Sequence, residues 1–165
     1  MFNVGILTVS DKGSRGERED LSGAAIRDMV ATIGAEFVKY DVVPDERELI
    51  SLKLSEWCAE GLDLILTTGG TGLGPRDVTP EATRDVIDRE APGMAEAMRA
   101  LCLQYTPMAM LSRAVVGTRG RTLIVNLPGS PKGVRESLGV LLPVLPHALG
   151  ILTGEIGEHT PNRDL

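Results

Sequence analysis

The chain has 165 residues, of which 42% are hydrophobic and 3% aromatic, and its formal net charge is −6. This length suits one domain that buries a substantial core without disulfides or metals. The negative charge and the scarcity of aromatic residues argue against a nucleic-acid surface, because such surfaces rely on clustered Lys and Arg and on aromatic stacking.

The cysteines and histidines offer no metal site and no nucleophilic triad. Cys58 and Cys102 lie in helical patterns without zinc-site spacing and are predicted to be small core residues. His147 and His159 lack residues with which to build a triad. We find no basic N-terminal region, and prolines interrupt the longest apolar stretch, 140–152. Neither a signal peptide nor a membrane span is therefore predicted, and a cytoplasmic enzyme or binding domain is expected.

The first third of the chain predicts strands that alternate with helices. Residues 3–10 form an apolar strand pattern, and residues 20–33 have helical spacing that ends at Gly34. Residues 36–43 resemble a second strand. Asp45, with Glu48 three residues later, has the form of a capping box, which predicts a helix that ends at Gly61.

The segment LDLILTTGGTGLGPRDVTP, residues 62–80, predicts a buried strand, a glycine-rich loop and a helix start. Its glycines at 69, 70, 72 and 74 allow positive φ and let a ligand lie against bare N–H groups. Thr79 reads as an N-cap with Pro80 at the first helical position, and this helix is predicted to run to about Arg89. A purely geometric turn is the alternative, but so many glycines exceed what one turn requires. The segment therefore predicts an anion site, with phosphate as the ligand.

The second half of the chain repeats the pattern of a buried strand, a loop and a helix that begins with a cap residue and a proline. A helix is predicted after Gly93, a short strand at Ser112–Val116 and a buried strand at Thr122–Leu127. Ser130 as N-cap and Pro131 in the first turn then begin a helix. Its apolar stripe, predicted to be kinked at Pro143 and Pro146, consists of Val134, Leu138, Leu141, Leu142, Leu145 and Leu149.

Alternating strands and helices predict an α/β domain, residues 1–154, with a mainly parallel sheet and helices on both faces. Residues 155–165 form a polar tail. Ligands in such folds bind at the carboxyl ends of the strands. We name the three loops expected there the aspartate loop (10–13), the glycine loop (68–77) and the serine loop (126–133). Their candidate binding residues are Ser10, Asp11, Thr68, Gly69, Gly70, Thr71, Gly72, Asn126, Pro128, Gly129, Ser130, Pro131, Lys132 and Gly133.

Four motifs, in order, give the chain a family resemblance. They are TVSDKGSRGEREDLSG at 8–23, VVPDE at 42–46, TTGGTGLGPRDVTPEAT at 67–83 and NLPGSPKG at 126–133. The sequence resembles the molybdopterin adenylyltransferase family, the MogA/MoaB-type proteins of molybdenum cofactor synthesis, and the related domain of gephyrin. The resemblance implies a three-layer α/β sandwich, a homotrimer, and Mg²⁺-dependent transfer of AMP from ATP to the molybdopterin phosphate. It also implies a transient contact with the molybdenum-insertion enzyme.

The resemblance gives catalytic roles to Asp45 and Asp77, with Mg²⁺ as the cation they would hold. An ionised phosphate monoester needs no strong base to become a nucleophile, so metal holding suits these carboxylates better than proton abstraction. Local alternatives remain: Asp45 as a helix cap, Asp77 as a turn brace, Asp11 as a structural residue, and Lys12 and Lys132 as surface residues.

Two rival functions remain open at this point. One is a non-catalytic trimeric module that binds molybdopterin or a protein partner. The other is a flavodoxin-like flavin binder, which the fold would permit by analogy. The choice between molybdenum and tungsten as the metal of the cofactor also remains open.

Overall fold

Six strands form one mixed sheet in the computed structural model, which describes residues 1–156. The sheet order is β2-β1-β3-β6-β5-β4. Strands β1, β2, β3 and β6 are parallel, β5 is antiparallel to β6, and β4 is antiparallel to β5. The strands are β1 (Asn3–Val9), β2 (Glu36–Val43), β3 (Leu64–Thr68), β4 (Arg89–Glu90), β5 (Val116–Arg119) and β6 (Thr122–Leu127).

The central strands are the ones with continuous apolar runs. Every residue of β3 and β6 is buried, as expected for parallel strands covered on both faces. Strand β2 lies at one edge, and exposed and half-buried residues alternate along most of it.

Seven α-helices and one 3₁₀ helix, Pro107–Leu111, connect the strands in the described residues. The α-helices are α1 (Asp11–Ser14), α2 (Leu21–Ala31), α3 (Arg47–Ala59), α4 (Thr79–Arg84), α5 (Pro92–Cys102), α6 (Pro131–Leu141) and α7 (Leu145–Thr153). Helices α2, α5, α6 and α7 share one hydrophobic core with the sheet, and α3 and α4 share a second core. The predicted α/β architecture with helices on both faces is confirmed.

Several local predictions need correction. The strand predicted at 112–116 is wrong, because β5 begins only at Val116. The helix predicted to reach Arg89 ends at Arg84, and residues 89–90 form the short strand β4. The short α1 and the 3₁₀ helix were not predicted. The kink predicted near Pro143 is a break between α6 and α7 with an angle of 64°.

No single helix within residues 1–156 is long and apolar enough to cross a membrane; the bent α6–α7 pair qualifies only when its two halves are added together. Of the predicted tail, residues 157–165 lie outside the described part of the chain.

The connections around β1 position the functional loops. The chain passes from β1 through α2 to β2, and then through α3 to β3 on the other side of β1. The carboxyl ends of β1 and β3 therefore flank a crevice, which is where ligands bind in open α/β sheets.

Candidate active site

Two cavities lie at the carboxyl ends of the parallel strands and meet at Ser130. The larger has a volume of about 680 Å³ and the smaller about 410 Å³. Among the candidate residues, the larger cavity is lined by Ser10, Asp45, Thr68, Gly69, Gly70, Asp77, Gly129, Ser130 and Pro131. The smaller cavity is lined by Thr71, Gly72, Asn126, Pro128, Ser130, Lys132 and Gly133. Asp11 is the one candidate residue that lines neither.

The glycine loop brings bare backbone to the larger cavity. Gly69 and Gly70 have φ values of 99° and 69°, in the left-handed region that favours glycine. A Cβ on Gly69 would collide with the Val9 carbonyl oxygen, and one on Gly70 with the Thr79 hydroxyl. The N–H groups of residues 70–73 donate to no acceptor within residues 1–156. Successive unpaired amides of this kind are able to bind an anion.

The other two glycines of the loop have a different purpose. Gly72 and Gly74 lack positive φ, but a Cβ on either would lie 2.9 Å from Asp77 Oδ2. Their missing side chains therefore make room for the Asp77 carboxylate inside the loop.

Two threonine hydroxyls hold the glycine loop in place. The predicted N-cap role of Thr79 is wrong: Val78 occupies the cap position, and Thr79 Oγ1 donates to the Gly69 carbonyl at 2.9 Å. Thr68 Oγ1 donates to the Pro128 carbonyl at 2.6 Å and ties the glycine loop to the serine loop. Both hydroxyls are buried, so they support the loop backbone rather than contact a ligand.

Asp45 does not cap α3, so the capping-box interpretation is wrong. Glu46 occupies the cap position and makes no side-chain cap bond. Asp45 Oδ2 instead accepts a hydrogen bond from the Asp11 N–H at 2.9 Å, and Asp11 Oδ1 accepts one from the Asp45 N–H at 3.0 Å. This reciprocal pair joins residues 34 positions apart and fixes the Asp45 carboxylate at the cavity.

The two paired carboxylates differ in their electrostatics. Arg76 forms a two-armed ion pair with Asp11, at 2.9 and 3.1 Å. The guanidinium of Arg76 and the hydrogen bond from the Asp45 N–H together lower the pKa of Asp11. Burial raises the pKa of Asp45, and the negative charges of Asp11 and Asp77 raise it further. Asp11 is thus charge-compensated and positions Asp45, as its structural alternative proposed, whereas Asp45 carries uncompensated negative charge.

Asp77 braces the turn and still has an oxygen available. Its Oδ2 accepts from the Gly74 N–H at 2.8 Å, as the turn-brace alternative predicted. Its Oδ1, like that of Asp45, accepts no hydrogen bond within residues 1–156. These two oxygens are hard donors of the type Mg²⁺ prefers. No group of three or more Asp, Glu, His or Cys residues that could hold a metal occurs in the described chain. A cation here would therefore complete its shell with phosphate oxygens and water, as Mg²⁺ commonly does.

The serine loop contributes further free amides. Ser130 caps α6 as predicted, because its Oγ accepts from the Gly133 N–H at 3.0 Å. Ser22 Oγ donates to the Gly129 carbonyl at 2.8 Å and links the loop to α2. The N–H groups of Gly129, Ser130 and Lys132 have no acceptor within residues 1–156.

Two candidate side chains in the serine loop have other roles. The fully buried Asn126 amide donates to the Thr67 and Thr83 hydroxyls at 3.0 and 2.9 Å, and its oxygen accepts from the Val115 N–H. It holds β6 to its neighbours and has no donor left for a ligand. The Lys132 ammonium is exposed and lies 3.8 Å from Glu136 on the next helical turn, consistent with the surface alternative.

Sequence reasoning missed Asp20 as a site residue. Asp20 lines the larger cavity, caps α2, and accepts hydrogen bonds from the Thr8 hydroxyl at 2.5 Å and the Tyr40 hydroxyl at 2.7 Å. Burial and the neighbouring Asp20 raise the pKa of Tyr40 to about 12. The sequence offered two signals for Asp20, its position at a helix start and its place in the motif at 8–23.

The smaller cavity is lined mainly by apolar groups. Its walls come from α5, the 3₁₀ helix and α6, with Met98, Met108 and Leu111 among the side chains. It differs in character from the larger cavity, where the aspartates lie.

The chain is similar over most of its length to proteins of molybdopterin and molybdenum cofactor synthesis. A family model described as a probable molybdopterin binding domain matches residues 5–147. The molybdopterin adenylyltransferase of Helicobacter pylori is 44% identical over 93% of this chain and 89% of its own. A crystal structure of the molybdopterin biosynthesis enzyme MoaB of Thermus thermophilus is 64% identical with a TM-score of 0.89, over 93% of this chain and 98% of the other. Gephyrin of Dictyostelium discoideum is 45% identical over 96% of this chain, which matches 23% of gephyrin.

Proposed function

This chain belongs to the family of probable molybdopterin binding domains, and we infer that it is a molybdopterin adenylyltransferase of molybdenum cofactor biosynthesis. In this reaction an oxygen of the molybdopterin phosphate attacks the α-phosphorus of ATP. A new P–O–P bond forms, the bond to the β-phosphate oxygen breaks, and pyrophosphate leaves.

One observation carries this inference: unpaired amides of the glycine and serine loops line the larger cavity together with Asp45 and Asp77. These amides belong to Gly70, Gly129 and Ser130. The attacking phosphate is largely ionised near neutral pH, since its second pKa is about 6. The protein therefore has to position and neutralise phosphates rather than generate a nucleophile.

The roles of the residues follow from their donors. The amides of residues 70–73 and of Gly129 and Ser130 bind phosphate oxygens through neutral dipoles, which suits a chain with a net charge of −6. The free oxygens of Asp45 and Asp77 would hold Mg²⁺, which supplies charge neutralisation at the transferring phosphate when bound. Asp11 and Arg76 keep Asp45 in place.

The assembly we propose is a homotrimer. Met98 and Val134 lie on two apolar helix faces that are candidates for its interface, but both side chains are buried in the core of the chain itself. A group of exposed apolar side chains lies instead in and beside the 3₁₀ helix: Leu103, Tyr105, Met108, Met110 and Leu111. This patch is the face we assign to subunit contact.

ATP is a cytoplasmic metabolite, and we place the activity in the cytoplasm. The product would pass to the molybdenum-insertion enzyme through a transient contact. The gephyrin relative, which is about four times longer than the segment matched here, is compatible with such coupling between steps.

The decisive experiment mixes the purified protein with ATP, Mg²⁺ and molybdopterin and follows the adenylylated product and pyrophosphate. Formation of both in stoichiometric amounts supports the inference. Binding of molybdopterin without turnover would instead identify a non-catalytic binding module. A colourless protein would exclude the flavin-binding rival.

A further inference from the structure

Arg113 lies behind the glycine loop, on a segment of the chain where the sequence carries no motif. It precedes β5 and follows the 3₁₀ helix. Its guanidinium Nε donates to the Gly72 carbonyl at 2.7 Å, and its Nη2 donates to the Asp77 carbonyl at 2.7 Å. Its own N–H donates to the Thr71 carbonyl at 2.8 Å. One residue therefore holds three carbonyl groups of the glycine loop.

The remaining arm of the guanidinium is neutralised. Arg113 Nη1 forms an ion pair with Glu81 Oε1 in the first turn of α4. Burial raises the pKa of Glu81, but the hydrogen bond from Arg113, the Glu81 N–H and the charges of Arg113 and Arg84 together lower it further than burial raises it. On the other side, Arg99 Nη1 donates to the Ala114 carbonyl at 2.9 Å and fixes the segment that carries Arg113.

These contacts set the direction of the free amides. In a trans peptide the carbonyl of one residue and the N–H of the next point in opposite directions, and no peptide bond within residues 1–156 is cis. Because the Thr71 and Gly72 carbonyls turn toward Arg113, the N–H groups of Gly72 and Leu73 point away from it. Those two amides are among the ones with no acceptor within residues 1–156.

We propose that Arg113 is a positioning residue for adenylyl transfer. By holding the Thr71, Gly72 and Asp77 carbonyls it fixes the course of the glycine loop, which brings the Gly70 amide and the Asp77 carboxylate to the larger cavity, and it does so without touching the phosphates. This inference rests on the proposed function. A lysine cannot replace the arginine, because one ammonium cannot span two carbonyls and a carboxylate in the way a planar guanidinium does.

The test compares Arg113→Lys and Arg113→Ala with Arg47→Ala. Arg47 is a matched control, because it also makes a two-armed ion pair, with Asp85, but on α3 and outside the glycine loop. Turnover, KM for ATP and melting temperature are measured for each. Binding of inorganic pyrophosphate, measured by titration calorimetry, reports on the loop independently of turnover.

We expect both Arg113 variants to lose about a hundredfold in kcat, the usual effect of removing one well-aimed amide donor, and to bind pyrophosphate more weakly. Millimolar guanidinium should restore part of the kcat of Arg113→Ala and should leave Arg47→Ala unchanged. An arginine that served stability alone would lower the melting temperature and leave kcat per folded molecule intact.

Three results would overturn the proposal: an Arg113→Lys enzyme with wild-type kcat, wild-type pyrophosphate affinity in that variant, or a folded Arg113→Ala enzyme that guanidinium does not rescue. If Arg113→Ala does not fold, the lysine variant decides. If the wild-type protein itself transfers no AMP, the proposed function fails, and the pyrophosphate titration still decides the role of Arg113.

Discussion

The substitution Asp45→Asn separates a catalytic role of this residue from a structural one. A catalytic role predicts that turnover falls while the melting temperature rises. The Asn side-chain oxygen can still accept the hydrogen bond from the Asp11 N–H, so the reciprocal pair between the two loops is retained. What the substitution removes is the negative charge. That charge is unfavourable in the folded chain, because burial and the carboxylates of Asp11 and Asp77 raise the pKa of Asp45 by more than the Asp11 N–H and Arg76 lower it.

Turnover should fall about a hundredfold in Asp45→Asn, which corresponds to about 2.7 kcal/mol of lost transition-state stabilisation from one electrostatic contact. The melting temperature should rise, since the variant no longer buries a charge beside two like charges. A helix cap would give neither effect, because Asn caps a helix nearly as well as Asp. Gain of stability with loss of activity is the signature of a residue selected for function.

The assay follows the adenylylated product at saturating ATP and Mg²⁺, with thermal unfolding measured in the same buffer. Asp85→Asn is the control, because it removes a carboxylate from the exposed pair with Arg47 and leaves the site untouched. Wild-type turnover in Asp45→Asn, or a melting temperature well below that of the wild type, would refute this reasoning.

Three further predictions follow from the same geometry. The gain in melting temperature of Asp45→Asn should be full above the raised pKa of Asp45 and should shrink as the pH falls from there toward the ordinary pKa of an aspartate, below which the carboxyl is protonated in both the folded and the unfolded chain and the penalty is absent; a gain that is independent of pH would contradict this. Gly70→Ala should cost at least about 1–2 kcal/mol of stability, because Gly70 has a left-handed φ, and it should abolish ATP binding. Gly139→Ala, in an open helical position, should be stabilising. Denaturant unfolding measures the stability of each variant, and calorimetry measures its ATP binding. Met110→Glu should convert the proposed trimer to monomers in light scattering, and Leu52→Glu, which is also exposed but lies on α3, should not; a trimeric Met110→Glu protein would exclude this patch as the interface.

The sequence predicts well those features that neighbouring residues determine. The central strands β3 and β6 are recognisable because every residue is apolar or small enough to be buried. The Ser130 cap is likewise local, since donor and acceptor are three residues apart. The glycine loop is recognisable from its glycine content, and Gly69 and Gly70 adopt the positive φ that the pattern predicts.

The errors occur where a distant residue competes for a local group. Asp45 and Thr79 both fit capping patterns, but Asp45 accepts from an amide 34 residues away, and the Thr79 hydroxyl turns to a glycine carbonyl instead. Asn126 was correctly placed next to the site, but its amide is used entirely between strands. Arg113 was missed because its role depends only on three-dimensional proximity to a loop some 40 residues earlier in the chain.

The site is costly to the fold in ways that point to one kind of ligand. It holds two glycines in the left-handed region, a run of amides without acceptors, and a carboxylate, Asp45, whose pKa is raised by burial and by neighbouring carboxylates. Unpaired amides are relieved by an anion, and uncompensated carboxylates by a cation. The unpaired amides and the carboxylates line the same crevice. An anion alone would bind the amides and leave the carboxylates without a partner, and a cation alone would do the reverse. We infer that the ligand brings phosphate oxygens and a bound divalent cation together, and the magnesium complex of ATP has this composition.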